Sequence, residues 1–122
     1  MRGLMVAAAW GAAILTLGGG SALAQEDGER VFNQCKACHS LDAGVHRVGP
    51  SLAGLDGRTA GTVEGFRYSD AMKDSGIVWN EETLEGYLAN PREYLPGNRM
   101  PFPGVRDEEK LEALIDYLLE AG

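Results

Sequence analysis

The clearest hydrophobic pattern in the chain lies near its C-terminal end. Apolar side chains recur at positions 111, 114, 115, 118 and 119, a spacing that places them on one face of a helix. Asp107 precedes them as a candidate N-cap, and Glu108 and Glu109 follow it in the first turn. The pattern predicts an amphipathic helix that begins after Asp107 and ends at Gly122.

Helix caps and breakers predict further helices upstream. Glu26 to Cys38 has acidic residues in its first turn, as expected where a helix begins. Asn80 is a candidate N-cap for a helix through Leu88, which Asn90 and Pro91 would end. Short helices are expected at Ser69–Ser75, with Ser69 as the N-cap, and at Pro91–Leu95.

Residues 41–65 are rich in glycine and show no helical period. A long irregular stretch in a small domain usually surrounds something functional. Few alternating β-branched runs occur anywhere in the chain, so we predict the all-α class. The expected domain has three main helices, with short helices and loops between them.

The first 24 residues have the composition of a secretory signal peptide. Arg2 is positively charged, residues 4–17 are mostly apolar, and Ala22-Leu23-Ala24 is an A-x-A cleavage motif. The apolar run is short for a membrane span. We expect cleavage after Ala24, which leaves one domain over residues 25–122; an uncleaved N-terminal anchor is the alternative.

Charge and size narrow the classes of partner. The chain has 11 Lys and Arg against 18 Asp and Glu, and loss of Arg2 would leave 10 against 18, a net charge of −8. Nucleic-acid binding is therefore not expected, and adhesion to anionic lipid is disfavoured. A core of 98 residues is marginal by itself, so a bound group is expected to complete it.

The motif that carries chemistry is Cys35-Lys36-Ala37-Cys38-His39. It contains both cysteines of the chain and one of its two histidines. The spacing C-x-x-C-H is that of covalent c-type haem attachment. The two thiols can form thioethers with the two vinyl groups of a haem, and the histidine can then ligate the iron. The motif predicts one covalently attached haem c.

These cysteines have three alternative uses. A thioredoxin-like dithiol follows a strand in a βαβ pattern, which this chain lacks. A structural zinc ion needs four ligands, and Cys35, Cys38, His39 and His46 are the only Cys and His, at a poor spacing. A plain disulfide is the third alternative.

Haem iron also needs a ligand on its far face, unless that position stays open. Without the signal peptide the candidates are Met72, Met100 and His46. Met100 lies in a loop whose prolines restrict the backbone, which suits holding a weak ligand. Met72 lies in a predicted helix, and His46 is close enough in the chain to reach the iron. The residues by themselves leave this choice open.

From Gly28 onward the chain resembles class I cytochromes c of the mitochondrial and short bacterial soluble kind. The matching stretches are Gly28 to Phe32, Cys35 to His39, Gly49 to Leu52, Gly57-Arg58, Gly65 to Ala71, Gly76 to Trp79, Tyr87 to Pro91, Tyr94 to Met100 and Leu114 to Leu118. The resemblance implies that Met100 supplies the second axial ligand, opposite His39. Such Met/His ligation raises the reduction potential.

The resemblance also implies roles for other side chains. The Pro50 carbonyl would accept a hydrogen bond from His39 Nδ1, which fixes the ring. His46 would tie loops together rather than bind iron. Arg58, Tyr68 and Trp79 would surround the haem propionates, and Tyr87 would lie near the methionine sulfur. The first and last helices would cross at Gly28, Phe32, Leu114 and Tyr117.

Several positions depart from the mitochondrial pattern or stand out by charge. Met72 replaces a usual asparagine, Asn98 replaces a common threonine, and the segment between His39 and His46 is one residue shorter. By the same resemblance, four arginines would rim an exposed haem edge and steer an acidic partner, although a solvated mixed surface is the alternative. They are Arg47, Arg92, Arg99 and Arg106.

The expected function is that of a soluble periplasmic electron carrier whose haem iron cycles between ferric and ferrous states, and not that of an enzyme. Its expected partners are redox proteins such as a membrane cytochrome complex, an oxidase, a reductase or a photosynthetic reaction centre. The mature chain is expected to be a monomer that is not embedded in the membrane. Peroxidase-like activity, or sensing of small ligands after Met100 is displaced, are the alternatives.

Overall fold

The computed structural model describes residues 20–121, together with Gly3 and Gly11. Five helices occur in this part of the chain, and it contains no strand beyond an isolated antiparallel bridge between Thr59 and Val78. The predicted all-α class is confirmed. The helices are α1 (Gly20–Phe32), α2 (Asp70–Lys73), α3 (Glu81–Ala89), α4 (Pro91–Tyr94) and α5 (Glu108–Ala121).

Three helices begin at the caps that the sequence predicts. The Ser69 hydroxyl accepts a hydrogen bond from Met72 N–H at 3.1 Å, and Asp107 Oδ1 accepts one from Lys110 N–H at 3.1 Å. At α3 the Asn80 and Thr83 side chains each accept a hydrogen bond from the other's backbone N–H, which forms a capping box. Each cap satisfies an amide that the first helical turn leaves without a partner.

The first helix differs from its predicted limits at both ends. The described helix spans Gly20–Phe32, so it includes residues before Glu26, and its regular part ends at Phe32 instead of Cys38. Beyond Phe32 the backbone tightens, because Cys35 N–H bonds to Phe32 O, three residues back, at 2.7 Å. The cysteine motif therefore lies in turns that follow the helix.

Most of the predicted signal peptide lies outside the described residues, and at its expected cleavage site the structure describes only a helical backbone. Among the described helices, none has the length and apolar character needed to cross a membrane.

Helices α1 and α5 cross at Gly28, as the resemblance implies. A Cβ atom at Gly28 would collide with the Ala113 carbonyl oxygen and come within 2.6 Å of Tyr117 Cβ. Glycine therefore permits the close backbone approach. Next to this contact the Phe32 and Tyr117 rings lie 5.4 Å apart, and Leu114 is fully buried.

Helix α3 packs against both α5 and α4, and its buried Leu84 and Leu88 complete the helical core. The chain between α1 and α2 contains no helix. It is joined to the segment before α3 by backbone hydrogen bonds from Trp79 N–H to Arg58 O at 2.9 Å and from Gly57 N–H to Trp79 O at 2.7 Å. The loops thus face the helical core, and a space lies between the loops and the helices.

Candidate functional site

A cavity of about 500 Å³ lies between the helical core and the loops. This volume is within the range of about 300–1,000 Å³ found for small-molecule and cofactor sites. Leu84 and Leu88 of α3 and Leu114 and Leu118 of α5 form an apolar wall. Such a wall suits a large flat apolar group and completes the core that the short chain lacks by itself.

The cysteine motif lines this cavity through Cys35, Cys38 and His39. His39 N–H bonds to Cys35 O at 2.8 Å, and Cys38 N–H bonds to the same carbonyl at 3.0 Å. The motif is therefore one helical turn, in which residues four apart lie on the same side. Local backbone geometry directs both thiols and the imidazole into one space.

The thiol chemistry does not favour the alternatives to haem. Burial, and to a lesser extent the neighbouring Cys38, raises the pKa of the Cys35 thiol to about 11. A reactive dithiol instead needs an accessible thiolate. Both cysteines are free, and no group of three or more Cys, His, Asp or Glu in the described part of the chain could hold a metal ion.

His39 is held in one orientation by Pro50 and Gly49. Its Nδ1 lies 2.8 Å from the Pro50 carbonyl oxygen, the hydrogen bond that the resemblance implies. Burial lowers the pKa of His39, the Pro50 bond opposes that effect, and Arg58 adds to it. The neutral ring donates from Nδ1, so its Nε2 lone pair is available to a metal.

Gly49 makes room for this ring. A Cβ atom there would come within 2.7 Å of both His39 Nδ1 and Nε2. No sequence pattern assigned Gly49 a role of its own; the Gly-Pro pair at 49–50 marked only a turn.

Met100 lines the same cavity, next to Tyr87. The Tyr87 hydroxyl donates to Met100 Sδ at 3.9 Å, and its ring lies 5.1 Å from that of Trp79. Burial raises the pKa of Tyr87 to about 12, so the phenol keeps its proton at neutral pH. The sulfur therefore lies beside a neutral hydrogen-bond donor.

Arg58, Tyr68 and Trp79 also line the cavity, as implied for the propionate end of a haem. Arg58 Nη1 donates to the carbonyls of Ser51 and Ala53 at 3.0 and 3.1 Å, which holds the guanidinium in place. Burial raises the pKa of Tyr68, while hydrogen bonding to Val63 and the charge of Arg58 oppose the rise. Both side chains are donors suited to a carboxylate.

The structure separates the other two candidates for the far-face ligand. Met72 lines the cavity together with Met100, whereas His46 does not. Both ring nitrogens of His46 are engaged, Nδ1 by Ser51 N–H at 3.0 Å and Nε2 by the Glu64 carbonyl at 3.0 Å. His46 thus ties two loops together, as the resemblance implies.

The arginines implied to rim the site are all exposed, but Arg99 alone among them lines the cavity. Arg67 lines it as well, a contribution that the sequence analysis missed because an exposed arginine in a loop has no distinguishing pattern. None of the described residues around the cavity is Asp or Glu. The cavity is therefore locally positive in a chain of net charge −7.

Taken together, the helices, the C-x-x-C-H turn and an apolar cavity that also holds a methionine sulfur define a small haem-binding electron-transfer protein. The residues present fit the group: two thiols, an oriented imidazole, an apolar wall and donors for two carboxylates all face one space.

The chain belongs to the cytochrome c family, whose sequence model matches residues 25–122. It is similar to cytochrome c2 iso-2 of Magnetospirillum molischianum, with 52% identity over 71% of this chain and 90% of that protein. It is also similar to cytochrome c2 of Blastochloris viridis, with 52% identity over 75% of this chain and 72% of that protein.

Among solved structures, cytochrome cH from Methylobacterium extorquens is similar with a TM-score of 0.73 and 40% identity, over 79% of this chain and 97% of that one. The protein is therefore an electron carrier and not an enzyme, and it carries one covalently bound haem c.

Proposed function

We propose that this protein is a periplasmic shuttle that exchanges single electrons with redox proteins through a Met/His-ligated haem. One observation carries the proposal. The Cys35–His39 turn and the Met100 sulfur, which are about 60 residues apart in the chain, line one apolar cavity. A haem c bound there supplies the iron that takes up and releases one electron.

Each side chain of the motif has a defined task in this proposal. Cys35 and Cys38 form the two thioethers, which keep the group attached in either oxidation state. His39 supplies Nε2 as one axial ligand, and Pro50 holds its ring through Nδ1. Met100 supplies the second ligand, a soft sulfur that favours the ferrous state and so raises the potential.

The surrounding residues control charge and water. Tyr87 donates toward the Met100 sulfur, while the leucines of α3 and α5 exclude water from the site. Arg58, Tyr68 and Trp79 provide donors for the propionates, because a partly buried carboxylate needs hydrogen bonds and positive charge. Ligation that stays the same in both oxidation states keeps the geometry constant, so little reorganisation accompanies transfer.

The proposed partner has an acidic docking face. Exposed Arg47, Arg92, Arg99 and Arg106 form the rim in this proposal, and such a local positive field speeds encounter with an acidic partner. The rate of electron exchange with an acidic redox protein is then expected to fall as ionic strength rises. Arg99→Gln should lower that rate at low salt more than Arg30→Gln, a matched change on α1.

The proposed location and domain limits follow from the signal-peptide composition. Residues 1–24 direct export and are removed, and residues 25–122 form the haem domain, a monomer that is not embedded in the membrane. The match of the family begins at Gln25, which supports this limit. Mass spectrometry of the exported protein should give a chain that starts at Gln25 and carries the mass of one haem.

The ligand assignment is tested by comparing Met100→Ala with Met72→Ala. Both changes remove a methionine from the same cavity, so they match in chemistry and place. Met100→Ala should keep the covalent haem but lose the charge-transfer absorption band that reports sulfur on ferric iron, and its reduction potential should fall. Met72→Ala should keep the band. Retention of the band in Met100→Ala would refute the assignment.

A further inference from the structure

We infer that Asn98 is the positioning residue that keeps Met100 on the haem iron, an inference that rests on the axial role proposed for Met100. Asn98 does not itself line the cavity. Its partly buried side-chain amide connects the carbonyls of Pro91 and Leu95, at the two ends of α4, to the backbone of Met100. It therefore sets how firmly the loop presents the sulfur.

The loop backbone before Asn98 is a tight turn. Asn98 N–H bonds to Leu95 O at 3.2 Å, Pro96 occupies the second position of the turn, and Gly97 has a φ of +88°. Proline followed by a residue with positive φ is the pattern of a type II turn. The turn packs onto α2, since a Cβ atom at Gly97 would come within 3.3 Å of Ala71 Cβ.

The Asn98 side chain then folds back onto α4 and its C-cap, Leu95. Its Nδ2 donates to Pro91 O and to Leu95 O, both at 2.8 Å. Each of these carbonyls also accepts a backbone N–H, Pro91 O from Leu95 at 3.0 Å and Leu95 O from Asn98 at 3.2 Å, so the amide adds a second hydrogen bond to each. Both N–H groups of the amide are used in this way.

The remaining oxygen of the amide reaches the ligand itself. Met100 N–H donates to Asn98 Oδ1 at 2.9 Å, a side chain–backbone turn across two residues. On the other side, Pro101 restricts the Met100 backbone to extended conformations. Met100 is thus restrained by residues on both sides. Mutation of Asn98 removes one of these restraints and leaves the backbone preferences of the loop unchanged.

An amide is the group that can bond to all three partners at once. Two donors and an acceptor on one planar group match two carbonyls and one N–H, whereas a serine hydroxyl has one donor and an alanine has none. Loss of these bonds would let the loop leave the iron more easily. Because the methionine sulfur is a weak ligand, an external ligand would then replace it more readily.

The test is a titration of the ferric holoprotein with imidazole, which competes with methionine sulfur for the iron. Asn98→Ala should raise the apparent affinity of the ferric iron for imidazole about tenfold or more. The reason is that the variant loses the net free energy of the Asn98 hydrogen bonds, which stabilise the methionine-bound state. Asn98→Ser, which retains an acceptor for Met100 N–H and one donor, should give a smaller rise. Asn98→Ser also provides the test if Asn98→Ala fails to fold.

Asn80→Ala is the matched control. It removes a comparable side-chain cap, the bond from Thr83 N–H to Asn80 Oδ1 at 2.9 Å, at the start of α3. It should lower global stability but change the imidazole affinity less than twofold. An equal rise in Asn80→Ala would mean that the affinity follows overall stability, and this would overturn the inference.

An affinity within twofold of wild type in both Asn98 variants would also overturn it. In the wild-type protein, imidazole binding should speed hydrogen exchange at Met100 N–H and leave the exchange rate of Thr83 N–H unchanged. Unchanged exchange rates at both sites would contradict the inference without the use of any variant. A wild-type protein that lacks the methionine band would refute the axial role itself, so the two failures are distinguishable.

Discussion

Replacing His46 tests whether this ring holds the cavity loops together. Its two hydrogen bonds differ in exposure: Ser51, whose backbone amide donates to Nδ1, is a residue only 2% exposed, whereas Glu64 is an exposed residue. Ser51 cannot easily turn toward water, because its hydroxyl donates to Asp42 O at 2.6 Å and accepts from Ala53 N–H. The amide that donates to His46 Nδ1 would therefore be left without a partner.

The expected loss of unfolding free energy follows from these environments. An unsatisfied buried donor costs about 1–3 kcal/mol, and a replaceable bond contributes about 0.5–1.5 kcal/mol. His46→Ala should therefore lower the free energy of unfolding by about 2–3 kcal/mol, most of it from the Ser51 amide. His46→Asn places an oxygen near the position of Nδ1 and His46→Gln places a donor near Nε2, so the two variants separate the contributions.

The measurement is guanidinium denaturation of the holoprotein, with comparison restricted to variants whose m-value is unchanged. We expect the loss to be largest for His46→Ala, smaller for His46→Gln and smallest for His46→Asn. If His46→Gln is the more stable of the two amide variants, or if His46→Ala loses less than about 0.5 kcal/mol, the buried Ser51 amide is not the dominant contribution.

Two further predictions concern the ring space and the core. Gly49→Ala should displace the His39 ring and lower the yield of correctly ligated haem, since a Cβ would come within 2.7 Å of both ring nitrogens. The control is Gly54→Ala, where φ is +65° but a Cβ meets nothing within 4 Å. Absorbance spectra of the two variants check this, and equal spectra would contradict it. Leu114→Ala should cost about 2–5 kcal/mol of unfolding free energy, because the side chain is fully buried. Leu119 is only partly buried on the same helix, so Leu119→Ala should cost clearly less in the same denaturation assay.

Local features of the fold could be predicted from the sequence. Ser69, Asn80 and Asp107 were identified as caps because a cap involves residues only two or three positions apart. The core face of α5 was visible because an amphipathic helix repeats its apolar positions. The end of α1 was placed too late, since the turns that carry the cysteines keep helical hydrogen bonds after the regular helix has ended.

The candidate site was predicted in part. The C-x-x-C-H motif is local, and its chemistry follows from spacing alone. Residue chemistry by itself favoured the Met100 loop but left Met72, Met100 and His46 open as candidates for the far-face ligand, and the resemblance to cytochromes c selected among them. Neither source indicated that Gly49 makes room for the His39 ring or that Asn98 bonds to both α4 and Met100.

The sequence by itself determined the elements whose causes lie within a few residues: the haem-attachment turn, the helix caps and the apolar face of the last helix. The tertiary structure decided which distant groups meet. Loop closure brings Met100 to the cavity of His39, and places the Pro50 carbonyl at His39 and the Ser51 and Glu64 backbones at His46. The physical reason is that hydrogen bonds between segments far apart in the chain depend on how the whole backbone packs, which no short stretch of residues specifies.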